Sequence, residues 1–405
     1  MEETEELDLA AGTPEPRPDV RLLCSLTLRN ILSFGPDTPP LELRALNVLI
    51  GPNGSGKSNL LTAVELLRES ANTLDLGLTM GDDLVWKGVK NRTGMVKAVV
   101  QLPHSDLTIS HELEVEELGP VTIRVREYIA RQPAPSEAPD LVPYFDSKGK
   151  EVRLRNKVVP ATMLNSDSSV LVQFRDPLQY PELTELGEAY LGIRLFRDWG
   201  FGNYNSARRP QRTDVRNDFP SADGANLGLT LNKLRRNSKV KTQLLDVLNE
   251  LYEGISDFGV DIEGGYAHLY IQEGKFEIPG TRLSDGTLRF LFLLAILLHP
   301  TPPPLICLEE PELGLHPDAV VAIGKLIKEA STRTQLIVTT HSRMLIDTLT
   351  DSPEDVIVCG KRDGSTVMER LKSEELANWL KQYGSLGNLW SRGFLGDEAG
   401  NGNRW

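Results

Sequence analysis

Eight consecutive residues, Gly51-Pro-Asn-Gly-Ser-Gly-Lys-Ser58, constrain this chain more than any other feature. They satisfy the G-x-x-x-x-G-K-[ST] pattern at every position. The apolar run Ala45–Ile50 before them reads as a strand. After them Leu60, Leu61, Val64, Leu66 and Leu67 recur at helical spacing. Strand, glycine loop and helix is the context in which such a loop binds phosphate. Glycines at 51, 54 and 56 let backbone N–H groups turn inward, and the helix N-terminus adds partial positive charge. Asn53, Gly54, Ser55, Gly56 and Asn59 then line the cradle, Lys57 reaches the β and γ phosphates of ATP, and the Ser58 hydroxyl faces Mg²⁺. A chance Gly-rich turn before a helix is the alternative, and the complete match in the right context argues against it.

A second cluster stands far along the chain. Leu305-Ile-Cys-Leu308 is apolar and ends in Glu309-Glu310-Pro-Glu312, so carboxylates emerge where a buried strand stops, beside the expected ligand crevice. Side chains alternate along a strand, so Glu309 and Glu310 point in different directions and suit different tasks. Glu309 is the candidate to hold Mg²⁺ through water, and Glu310 to polarise the attacking water. Aspartate is commoner at the first position, and the longer glutamate is a departure. A charged strand end in solvent is the alternative, favoured for the carboxylates alone and disfavoured beside a complete phosphate loop.

Composition narrows the setting. The chain has 405 residues, 40% of them hydrophobic, enough for a substantial core in one large domain or two linked ones. Its longest apolar run, Phe290–Leu298, is too short to cross a bilayer and reads as a buried helix. Residues 1–20, rich in Glu and Pro, read as a disordered tail without the features of a secretory signal. Cys24, Cys307 and Cys359 lie far apart without C-x-x-C spacing, which argues against zinc or disulfides and fits a cytoplasmic protein. A net charge of -13 opposes broad adhesion to nucleic acid but permits a local basic surface.

The segments fall into an order. Leu22–Leu28 and Ala45–Ile50 read as strands. The middle carries short alternating strands at Lys97–Leu102 and Val121–Tyr128, a Pro-rich link at Gln132–Pro143, and helical stretches at Pro181–Phe196 and Leu231–Tyr252. From Leu283 onward helix and strand alternate: helix Leu288–Leu298, strand Leu305–Leu308, helix Ala319–Ala330, strand Gln335–Val338, helix Met344–Leu349, strand Val356–Cys359. That alternation predicts an α/β core with a largely parallel sheet.

Further motifs carry a resemblance. Leu283-Ser-Asp-Gly-Thr-Leu-Arg289 opens an apolar helix and resembles the LSGGQ-type signature of ABC ATPases in its SMC, RecF and OLD-like form. Glu310-Pro-Glu-Leu-Gly-Leu-His-Pro317 resembles their Walker B and D-loop segment, Thr339-Thr-His-Ser342 their switch region, and Leu28-Arg-Asn-Ile-Leu-Ser-Phe34 their opening strand and turn. The pieces stand in family order, and the tail Ser385–Trp390 followed by Gly393–Gly396 is similar to that of stand-alone prokaryotic AAA-family ATPases of this clan. The resemblance implies an ABC-type P-loop ATPase head, α/β with a mixed sheet flanked by helices. Its core would take residues 21–100 and 280–405, interrupted by a strand-and-helix insertion at 101–279. It further implies a homodimer in which Ser284 and Gly286 of one subunit meet the γ-phosphate on the other's loop, and in which His341 senses that phosphate. Asp285 stands where a second glycine is usual. No glutamine is assigned to the Q-loop: Gln101, in a strand-like stretch, is the candidate and a solvent-facing residue the alternative. Sustained heptads are absent, so long coiled-coil arms are not expected.

The target of such an ATPase is left open between two readings. Between Asn205 and Lys241 lie nine basic residues, Arg208, Arg209, Arg212, Arg216, Lys233, Arg235, Arg236, Lys239 and Lys241, against Asp214, Asp218 and Asp223, a local excess of six. Such a cluster suits DNA or RNA backbone, and equally a solvated face or a subunit contact. One reading is therefore a nucleic-acid-linked switch, in DNA-related or anti-phage processes. The other is a regulatory ATPase controlling a separately encoded effector, such as a nuclease or toxin. About sixty residues follow the switch helix, including the hairpin-like Lys361-Arg-Asp-Gly364, too few for an appended Toprim nuclease. His104, His111 and His268 show no metal-ligand spacing.

Overall fold

The computed structural model describes residues 20–395, apart from residues 74, 81–82, 89–91, 106, 120–121, 134–142, 150, 156, 161, 163, 198, 201–204 and 253. The expected tail, most of the Pro-rich link and Gly396 lie outside the described residues.

Leu46–Ile50, Leu305–Glu309 and Gln335–Thr339 are short apolar strands buried almost throughout. Such runs suit a parallel sheet covered on both faces. They sit in a six-stranded sheet in the order Arg194–Phe196, Leu305–Glu309, Gln335–Thr339, Leu46–Ile50, Val356–Arg362, Ser365–Arg370. The first five are parallel to their neighbours, and the last returns antiparallel as a hairpin through Asp363 and Gly364. All the parallel strands therefore end on one edge, and the carboxylates and the glycine loop end there together.

Alternation along each strand splits the core in two. Leu46, Val48, Ile50, Ile306, Leu308, Leu336 and Val338 face the helices Asp285–Leu297 and Pro317–Ala330. Leu49, Cys307 and Ile337 face the helices Lys57–Ser70 and Pro181–Leu191. Each fully buried Leu or Ile in these layers contributes about 1.5–3 kcal/mol by leaving water. The helix Asp285–Leu297 is buried along nearly its whole length, as its all-round apolar sequence requires. Among the described residues no helix is long and apolar enough to cross a membrane.

An eight-stranded antiparallel sheet covers the phosphate-loop helix from outside, with Leu23–Arg29, Thr93–Gln101, Thr108–Gly119 and Thr122–Arg131 at its centre. Residues 101–279 thus feed five strands into this sheet, the last three short, and one, Arg194–Phe196, into the central sheet. They also form the helices Leu227–Leu234 and Ser238–Leu251 against a small antiparallel sheet that includes the hairpin Ile255–Glu263 and Tyr266–Glu273.

Two elements differ from the sequence expectation. The helical stretch Pro181–Phe196 ends at Leu191, capped by Gly192, and Arg194–Phe196 becomes a strand beside Leu305–Glu309. The stretch Leu231–Tyr252 is two helices. Asn237 interrupts it by turning its side chain onto the N–H of Val240, starting a second helix with an ordinary asparagine cap.

Candidate active site

The loop after Leu46–Ile50 needs its glycines for identifiable reasons. Gly54 and Gly56 have φ of 77° and 100°, a region other residues rarely adopt. A Cβ on Gly56 would lie 2.2 Å from Thr366 Oγ1, and one on Gly51 2.3 Å from the carbonyl oxygen of Cys359. The helix Lys57–Ser70 starts at Gly56 without a side-chain cap, so its first N–H groups stay available for an anion. The Ser55 hydroxyl, buried in the loop, has no hydrogen-bond partner among the described residues. An orphaned donor in a glycine cradle fits a phosphate group.

Lys57 folds beneath the loop and donates from Nζ to the carbonyls of Gly51 at 2.8 Å and Pro52 at 3.1 Å. Burial pulls its pKa down, and the charges of Glu310, Glu309 and Glu312 work against that shift. The Ser58 hydroxyl donates directly to Oε1 of Glu309. A hydroxyl and a carboxylate oxygen side by side suit Mg²⁺, which takes hard oxygen donors and fills its remaining positions with phosphate and water.

Glu310 leaves the strand in the left-handed region, with φ of 46°. Its N–H donates to the Thr339 carbonyl at 2.9 Å, and its carbonyl accepts from Arg289 Nη2 at 3.0 Å. Residues held in such a conformation cluster at functional sites, where surrounding contacts sustain the strain. Its carboxylate lies 3.5 Å from Nε2 of His341. Burial and the nearby Lys57 charge lower the His341 pKa, against the pull of Glu310 and Glu312, so the ring is neutral at neutral pH.

Ser284 caps the helix Asp285–Leu297, its Oγ accepting from the Thr287 N–H at 3.0 Å. Gly286 packs so closely on the 310–316 segment that a Cβ would stand 3.0 Å from the Gly314 carbonyl oxygen. Among the described residues no hydrogen bond joins Ser284 or Gly286 to Lys57 or Ser58. The chain therefore brings Lys57, Ser58 and Glu309 into one group and sets Glu310 against His341. Ser284 and Gly286 stand in a separate helix start.

With this geometry in place, the family is decided by sequence. The model of the family described as "AAA domain, putative AbiEii toxin, Type IV TA system" matches residues 46–112 and 130–347. The chain belongs to this family. As a member, the AAA-domain protein also shares its fold with SMC heads. One, an SMC head bound to the C-terminal winged-helix domain of ScpA, superposes with a TM-score of 0.56 at 15% identity over 87% of this chain and 99% of the other. A second, an SMC head with an extended coiled coil bound to the C-terminal domain of ScpA from Pyrococcus furiosus, gives 0.53 at 13% identity, over 89% and 99%. No curated protein matches the sequence.

Several residues of this AAA-domain protein escaped the sequence reading. Arg197 follows the strand Arg194–Phe196 and donates from Nε to Oε2 of Glu309 at 2.8 Å. Burial alone would lower its pKa, but the hydrogen bond and charge of Glu309, with Glu65, reverse the shift upward. Arg289 stacks 4.6 Å above the Trp199 ring, and burial pushes its pKa down to about 10. Glu312 Oε1 accepts from Thr340 Oγ1 at 2.6 Å, from the His341 N–H at 2.9 Å and from the Ser342 N–H at 3.2 Å, anchoring the turn at residues 340–342. Glu312 and Arg289 stood inside segments singled out in the sequence, as the third carboxylate of its run and the last residue of the signature-like segment, whereas Arg197 stood in none. Gln101 is held through its side-chain oxygen by Thr108 Oγ1 at 2.8 Å, across the outer sheet.

Proposed function

We propose that this protein binds ATP with Mg²⁺ at Gly51–Ser58 and hydrolyses it, working as a nucleotide-dependent dimeric switch. The observation that carries the reading is the Ser58 hydroxyl resting on Glu309 while Lys57 lies buried under the glycine cradle. Asn53, Gly54, Ser55, Gly56 and Asn59 line or flank that cradle, whose backbone N–H groups hold the phosphates; Lys57 leaves the loop carbonyls for β- and γ-phosphate oxygens. Ser58 and Glu309 hold the metal, which when bound neutralises charge that develops on the phosphate oxygens. Glu310 orients the attacking water and accepts its proton, and the neutral His341 beside it contributes a hydrogen bond at the γ-phosphate end. Ser284 and Gly286, which make no hydrogen bond to Lys57 or Ser58 among the described residues, are suited to complete the site of a second copy. The test is phosphate release from ATP by the purified protein. Release is expected to need Mg²⁺, to stop with EDTA, and to be restored by returning the metal; release unaffected by EDTA would defeat the reading.

For the target, a specific observation favours the regulatory reading over direct nucleic-acid binding. At least six of the nine basic residues in the 205–241 stretch are already paired with carboxylates: Arg208, Arg212, Arg216, Lys233, Arg235 and Lys241. Arg208 in particular is largely buried, its guanidinium on Asp285 and the Leu283 carbonyl. SMC heads solved with a ScpA domain support a separately encoded protein partner, and the family description supports a toxin-type setting. Nucleic-acid binding measured with ATP over a salt series separates the two. Weak binding without a steep salt slope is expected, and a steep loss of tight binding with salt would restore the nucleic-acid reading.

A further inference from the structure

Glu309 is gripped twice by one short segment. Phe196 pairs in register with Leu308 on the neighbouring parallel strand, so the chain leaves the sheet beside Glu309. Arg197 then holds the carboxylate at Oε2, and the Trp199 indole N–H donates to the Glu309 backbone carbonyl. The rest of the guanidinium is fixed on the phosphate-loop helix: Nη1 donates to Thr62 Oγ1 at 3.0 Å and to Glu65 Oε2 at 2.9 Å, and Nη2 reaches the Ser58 carbonyl at 3.4 Å. One side chain thus ties the strand end to the first turns of the helix.

The grip leaves a specific oxygen for other work. With Oε2 on Arg197, Oε1 is turned to the Ser58 hydroxyl. A glutamate has one more rotatable bond than the aspartate usual at this position, and a loose carboxylate would spend much of its time in other rotamers. A planar guanidinium held by other partners removes that freedom. The positive charge does not spoil the site for a cation, because Arg197 is shared between Glu309 and Glu65 and the trio keeps one net negative charge.

We propose that Arg197 is a positioning residue for the magnesium ion: by fixing Oε2 of Glu309 it presents Oε1 and the Ser58 hydroxyl together, and so compensates for the longer carboxylate. This rests on the reading of the loop as an ATP·Mg site. Removing a group that orients a metal ligand typically weakens metal binding by about tenfold to a hundredfold.

The test is the dissociation constant of a fluorescent ATP analogue, measured in excess Mg²⁺ and again in EDTA. The ratio of the two reports what the metal adds. In Arg197→Ala the ratio is expected to fall by about tenfold while the EDTA value stays at that of the wild type, which also shows that the variant is folded. Glu65→Gln, which loosens the outer arm, is expected to lower the ratio by less. Arg197→Lys keeps the charge without the fork and is expected to lose most of the ratio too. A ratio unchanged or raised in Arg197→Ala, an equal loss with and without Mg²⁺, or full retention by lysine would overturn the proposal. A wild-type protein that binds no nucleotide in either condition would instead take down the ATP reading itself.

Discussion

Glu310→Gln is expected to bind ATP·Mg as tightly as the wild type and to hydrolyse it about a hundredfold to ten-thousandfold more slowly. Lys57→Ala is expected to fail earlier, with nucleotide affinity reduced about tenfold to a hundredfold, the loss that accompanies a charge-assisted hydrogen bond. The two residues differ because they act at different stages. Lys57 is buried under the loop with its ammonium on the loop carbonyls, which suits it to a ground-state phosphate contact under the proposed function. Among the described residues no hydrogen bond joins the Glu310 side chain to the loop or to Ser58. Its backbone is held in a left-handed turn by Thr339 and Arg289, and its carboxylate stands beside His341. Interactions made only in the transition state change turnover rather than binding. Single-turnover kinetics alongside equilibrium nucleotide binding separates the two variants, and wild-type turnover by Glu310→Gln would remove Glu310 from the chemical step.

How much of this could be read in the sequence differs from one part of the site to another. Gly51–Ser58 was legible because each position answers to a local demand: positive φ at Gly54 and Gly56, close approach at Gly51, a free helix start at Lys57. The parallel strands were legible as short apolar runs that end in charge or glycine. Arg197 was not. A three-residue strand is too short to show a period of two, and only Gly192 and Ile193 separate it from the helical pattern of Pro181–Leu191. What makes Arg194–Phe196 a strand is its pairing with Ile306–Leu308, more than a hundred residues away. The basic stretch at 205–241 was read correctly as composition, but charge counting along a chain cannot see Asp257 or Asp285 folding back onto it. The break at Arg235–Asn237 did carry a signal, because asparagine followed by serine is a helix-start pair set inside an otherwise amphipathic run. The edge of the 101–279 segment had none, since Thr93–Gln101 and Thr108–Gly119 form an ordinary hairpin that continues one sheet across it.

The second large effect concerns Ser284. Its hydroxyl caps the helix Asp285–Leu297 and, among the described residues, is bonded to no residue of its own phosphate loop, so its loss is expected to leave nucleotide binding by a single chain intact. Ser284→Arg places a long cation at that helix start, where a partner's γ-phosphate would have to approach. It should abolish assembly, and turnover with it. Mixing Lys57→Ala with Ser284→Arg chains restores one site with both native halves, so activity is expected to recover in part if subunits exchange and one site can work alone. Light scattering of the Glu310→Gln protein with and without ATP·Mg tests the shared site most directly, because slow hydrolysis holds the nucleotide in place. A monomer that doubles in mass on adding ATP·Mg, and fails to do so when Ser284→Arg is also present, is the expected result. A protein that stays monomeric in saturating ATP·Mg, while the wild type hydrolyses ATP at a rate per chain independent of protein concentration, would contradict it.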